Sequence, residues 1–136
     1  MAIAAISTST VYTVILVILI LGYLCWYLYG LHQRNQAATI IDEKTFREGM
    51  RKAQVIDVRE KKDFDAGHIL GARNIPYSTM RVYYQGIRKD MPVYLYDQGK
   101  TMSSRAAILL KKHGYQDIYI LKTGYARWDG KTKKSV

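Results

Sequence analysis

Asp97, Gln98, Gly99, Lys100, Thr101, Met102 and Ser103 lie between a short apolar run, Val93, Tyr94, Leu95 and Tyr96, and an alanine-bearing stretch that starts at Ala106. A β-prone run leading through small residues into a helix start gathers backbone N–H groups on one point, and such a point attracts an anion. Asp97 puts a carboxylate there, Lys100 is the one cation of the loop, and Ser103 and Ser104 add hydroxyls. Three roles are open to Asp97. As a nucleophile it would need a partner acid to hold magnesium, and nothing nearby in the chain supplies one. As an acceptor it would take up the loop's own N–H groups, each such bond contributing roughly 1.5 to 3 kcal/mol, with about 0.3 to 1 more from the helix dipole. As an exposed residue it would face a partner. Lys100 with Ser103 and Ser104 could hold a small anion, although an exposed lysine needs no ligand.

These residues need a strand before them and a helix behind. Pro92 opens the strand, the loop is expected over 97–102, and Ser103 is expected to cap a helix with Ala106, Ala107 and Leu110 on one face. Lys111, Lys112 and His113 suit its last turn and Gly114 its end. Upstream, 39–41 reads as a strand, and Asp42 caps a helix that sets Phe46 and Met50 together. A strand follows at 55–58, a charged helix at 60–66, a strand at 72–75, weak helical character over 77–87, and a last strand at 118–121. Strands alternating with helices predict an α/β fold whose strands pair in parallel through right-handed crossovers, with ligands at their carboxyl ends. Asp97 is at such an end.

The loop, with VIDVREKKDFDAGHILGARNIP at 55–76 and GYQDIYILKTGYARW at 114–128, closely resembles the single-domain rhodanese-like family over about 39–128. Asp-Val-Arg, Gly-His-Ile, Gly-Ala and Asn-Ile-Pro occur in the family's order. The resemblance implies a parallel β-sheet flanked by helices, and sulfur transfer through a cysteine persulfide directly after the strand, often with an arginine five residues on. Here those places hold Asp97 and Met102, while Ser103, Arg105, Ala106 and Ala107 still fit the pattern, so the change is a substitution in an intact loop. No catalytic residue is therefore expected. The resemblance also implies an internal polar network at Asp57 and Arg59. His68, between Gly67 and Ile69, has no thiol or hydroxyl nucleophile beside it and is read as a structural histidine.

Charge divides the chain. Lysine, arginine, aspartate and glutamate all lie from Arg34 onward, so the net charge of +10 belongs to the C-terminal part. Residues 11–31 form an apolar and aromatic run of 31 − 11 + 1 = 21 residues, about 31 Å long as a helix and enough to span a bilayer core. A cleaved leader would want a basic start and a small-x-small site, and a lipidated Cys25 a small residue in place of Leu24. The expected organisation is an N-terminal segment 1–31 with its transmembrane helix, a connector 32–38, a rhodanese-like domain 39–130 and a basic tail 131–136.

Arg34, Lys44, Arg47, Arg51 and Lys52 follow the span and nothing basic precedes it, which predicts the N-terminus outside and the domain in the cytoplasm. Tyr23, Trp26, Tyr27 and Tyr29 suit an interface at that end. Cys25 is the only cysteine, so no intramolecular disulfide forms. No cofactor is implied, and His32, His68 and His113 lack ligand spacing for a metal. Arg81, Tyr83, Tyr84, Arg88 and Lys89 could stack bases, but twelve tyrosines make such clustering ordinary and no nucleic-acid partner is expected. Lys131, Lys133 and Lys134 read as a solvated end that could touch anionic lipid.

The function expected is a membrane-anchored, catalytically inactive rhodanese-like module that binds or regulates a membrane-proximal protein. The alternatives are a sulfurtransferase-type enzyme using a thiol from another chain, and a structural part of a membrane complex.

Overall fold

The computed structural model describes residues 5–135, which divide into two units, Met1–Gln33 and Arg34–Val136. In the first, the described residues from Thr8 onward form a single helix, part of α1 (Thr8–Ala37). Ser7 Oγ accepts the Thr10 N–H at 3.3 Å and so caps its start. The stretch Thr8–His32 has a mean hydropathy of 2.3 and none of it is buried, so one N-terminal helix is long and apolar enough to cross a membrane. The expected connector at 32–38 is corrected in one respect: it is helical as far as Ala37, because no glycine or proline interrupts it.

The second unit is built on a five-stranded sheet. Its strands are β1 (Thr39–Ile41), β2 (Gln54–Asp57), β4 (Arg73–Asn74), β5 (Val93–Tyr96) and β6 (Ile118–Leu121), in the order β1-β6-β5-β2-β4. Every neighbouring pair is parallel, as the alternation of strands and helices predicts. Of the three inner strands, β2 and β5 are buried at all four positions and β6 at three, which is why Val93–Tyr96 reads as a short continuous apolar run. Successive side chains go to opposite faces. Ile56, Leu95 and Ile120 pack with Ala106, Ala107 and Leu110 of α5 (Thr101–Lys112), and Ala37 joins this side of the core. Val55, Tyr94, Tyr96 and Leu121 pack on the other face with Phe46 of α2 (Glu43–Gly49). Asp42 caps α2, its carboxylate accepting the Thr45 N–H at 2.8 Å. Two shorter helices, α3 (Lys61–Ala66) and α4 (Met80–Tyr83), complete the crossovers.

Two boundaries differ from expectation. Helix α5 opens at Thr101, not at Ser103, so the loop proper is 97–100 and Thr101, Met102 and Ser103 form the helix's first turn. Ser103 does not cap it from outside, because its hydroxyl is engaged by Asp97. Residues 131–135 of the expected tail 131–136 are not free either, and Val136 lies outside the described residues. Thr132–Lys133 forms β7, which pairs antiparallel with β3 (His68–Ile69), and the Leu70 N–H donates to Lys131 O while the Ser135 N–H donates to Asp65 O. Strands of two residues carry no readable alternation, and their partners are far apart in the chain.

Candidate functional site

β5 delivers Asp97 to the carboxyl edge of the sheet, between β2 and β6. The side chain does not reach into solvent: Asp97 is 5 % exposed. Its Oδ2 accepts the Met102 N–H at 3.2 Å, and its Oδ1 accepts the Ser103 N–H at 3.3 Å and the Ser103 hydroxyl at 2.5 Å. The first N–H groups of a helix have no partner inside it. Here a carboxylate from the end of the preceding strand supplies one, and the positive end of the helix dipole favours its charge. Thr101 and Met102 are exposed, and so are Gln98, Gly99 and Lys100, while Ser103 is buried.

The loop is latched from behind. Tyr125 N–H donates to Asp97 O at 2.8 Å and Ala126 N–H to Gln98 O at 3.1 Å. Gly124, at φ +66°, makes this approach feasible, since a Cβ there would stand 2.4 Å from the carbonyl oxygens of both Gln98 and Gly99. Ser104 Oγ donates to Lys100 O at 2.7 Å.

A second carboxylate lies one strand away. Asp57 at the end of β2 is 0 % exposed and pairs with Arg59, whose Nη2 is 2.7 Å from Asp57 Oδ2. Arg59 also donates to Gly67 O at 2.7 Å and, at 3.4 Å, to Gln98 Oε1, which ties the pair to the loop. Its guanidinium lies 4.3 Å from the Tyr125 ring centroid. Burial works against the arginine's charge, but the bonds and charge of Asp57 outweigh it and hold its pKa above the usual value. Asn74 donates to the carbonyls of Asp57 and Arg59 at 3.0 and 2.9 Å, bracing this turn. The Tyr96 hydroxyl accepts the Ile69 N–H at 3.0 Å, and burial, with Asp57 nearby, pushes its pKa up.

The residues singled out in the sequence therefore form one loop with a buried ion pair beside it. His68 lies apart from the loop, 3 % exposed, stacked on Phe64 with its Nδ1 2.8 Å from Phe64 O. Arg105 is exposed on α5. Cys25 is exposed in the other unit. Among the described residues no group of three or more histidine, cysteine, aspartate or glutamate side chains converges as metal ligands. Gly124, Tyr125, Asn74 and Tyr96 are the contributors that the sequence reading did not single out. A lone glycine three residues past the end of β6 and directly before Tyr125 is the signal that could have found the first two; Asn74 and Tyr96 lie in segments read only as strand or motif.

Comparison with known proteins agrees with this architecture. The family described as "Rhodanese-like domain" matches residues 42–131. The uncharacterized protein YqhL of Bacillus subtilis is 44% identical over 119 residues, covering 88% of this chain and 94% of that protein. The thiosulfate sulfurtransferase GlpE of Pseudomonas putida is 32% identical over 76 residues, covering 56% of this chain and 69% of that protein. The crystal structure of a rhodanese-like domain protein from Staphylococcus aureus superposes with a TM-score of 0.65 at 20% identity, covering 72% of this chain and 99% of that one, a likeness of fold.

Proposed function

We propose that this chain, which belongs to the rhodanese-like domain family, is a membrane-anchored binding or regulatory module that has given up sulfur transfer. One observation carries the reading: the donors at the start of α5, on which an anionic persulfide would rest, are taken by the Asp97 carboxylate. The family resemblance puts the cysteine at Asp97 and the arginine at Met102, so the thiol and the substrate's cation are missing together. What remains is a rigid loop on a scaffold related to sulfurtransferases. The helix at Thr8–His32 suits an anchor, and the basic residues from Arg34 onward favour a cytoplasmic domain with the N-terminus outside. A tether holds such a module at high effective concentration beside a membrane-proximal protein partner.

The test is thiosulfate-to-cyanide sulfur transfer by the full chain in detergent, beside the Asp97→Cys, Met102→Arg double variant. A silent natural chain and an active variant are expected. Turnover by the natural chain overturns the reading. A second reading, transfer with a thiol supplied by another chain, draws on the exposed stretch Gln98, Gly99 and Lys100 over which a carrier would dock. Persulfide recovered on a cysteine of a second protein that co-purifies with this chain would support it. Proteolysis of sealed cells that removed the domain from outside would refute the orientation.

A further inference from the structure

The amino ends of the parallel strands make a surface unlike the loop edge. Arg51 and Lys52 stand just before β2, Arg88 and Lys89 before β5, and α5, returning against the strands, brings Lys111, Lys112 and His113 to the same edge. The side chain of Gln54, first residue of β2, holds Arg88 by its N–H at 2.7 Å and its carbonyl at 2.8 Å. Lys89 Nζ lies 5.4 Å from the Tyr115 ring centroid and next to Gly114, and His113 stacks on Tyr84 at 4.1 Å. These contacts gather basic groups from three separate segments into one belt. All seven are exposed. The acids near them are Glu48, Asp90, Asp117 and Asp129, of which Asp90 pairs with Arg88 at 2.6 Å and Asp129 lines one cavity with Arg51. At the loop edge, by contrast, Asp42, Glu43, Glu60 and Asp63 are interleaved with Lys61, Lys62, Lys100 and Lys122.

Along the chain, the amino edge is also the one nearest the apolar helix: residues 33–38 are all that separate Thr8–His32 from Thr39, the first residue of β1.

We infer that this amino edge docks on an anionic lipid leaflet. The inference rests on the membrane-anchored reading above. Each basic residue held near such a surface multiplies the docked population about fivefold, and the attraction fades over a Debye length of roughly 8 Å. Residues 33–38 are a short tether, so an inserted helix keeps the domain at high effective concentration beside the leaflet.

The experiment is lysine acetylation, read by mass spectrometry, of the full chain in nanodiscs of phosphatidylcholine alone or mixed with phosphatidylglycerol. In the mixture, Lys52, Lys89, Lys111 and Lys112 are expected to react at least about fivefold more slowly, while Lys62, Lys100 and Lys122 keep their rates. The Arg51→Glu, Lys52→Glu variant should lose the protection of Lys89, Lys111 and Lys112, and high salt should do the same to the natural chain. Equal rates in both discs overturn the inference and leave the anchor standing, as does protection that falls on the loop-edge lysines. A chain that does not travel with the discs overturns the anchor and the inference together.

Discussion

Asp57 and Asp97 are two buried carboxylates at the ends of adjacent strands, and they are neutralised in different ways. Asp57 has a full counter-charge in Arg59. Asp97 has only dipoles, two backbone N–H groups and a hydroxyl at the start of α5. The difference separates scaffold from site. A buried ion pair is closed to other ligands because its partner is covalently part of the same turn. A set of convergent N–H groups is an anion site by construction, and Asp97 fills it with an anion from the chain itself.

Breaking the ion pair is expected to have the largest effect. Arg59→Ala strands the Asp57 charge in the interior and should cost about 3 to 5 kcal/mol, read from urea unfolding. Asp97→Ala leaves three donors without their acceptor and should cost about 2 to 3 kcal/mol, with a melting temperature that rises when sulfate or thiosulfate is added. The natural protein should show no such rise, and an equal response in both proteins would erase the contrast between the two carboxylates.

Tyr96 sharpens the comparison from the alkaline side. Burial first, and Asp57 next, raise its pKa above the ordinary value of 10.0, so above that pH the unfolded chain gives up a proton that the folded one keeps. Its contribution is complete below pH 10 and falls as pH rises further, by about 1.4 kcal/mol per unit at the steepest. Urea midpoints across this window should fall less steeply in Tyr96→Phe. Asp42 gives the smallest effect. It also accepts a helix N–H, but at the surface, and its pKa is lowered by its bonds with Thr45. Its contribution is present above the ordinary 3.8 and is lost as pH falls from there through the lowered value, and Asp42→Ala should lower the melting temperature less than Asp97→Ala.

Much of this was legible in the chain. Val93–Tyr96 and Ile118–Leu121 announce themselves as buried strands through β-prone apolar residues, and the apolar helix through its lack of charge. The pairing of Asp57 with Arg59 followed from a resemblance; periodicity alone says nothing of it. Ser103 was misplaced because a serine before an alanine-rich helix looks like a cap, whereas the acceptor arrives from Asp97 six residues earlier. The latch through Gly124 and Tyr125 and the pairing of β3 with β7 depend on contacts distant in sequence, which leave only a lone glycine or nothing at all in the local pattern.

The order of the strands has a kinetic side. β1 finds its only sheet partner in β6, with Thr39 opposite Tyr119, eighty residues away (119 − 39), so the first strand to be made waits for the last of the five. Pairing over such a separation is slow, because a long loop must close before any contact rewards it. Until then the segment joined to the apolar helix has an unpaired strand edge, and a cut anywhere between Ile41 and Ile118 would make that wait permanent if the pieces part.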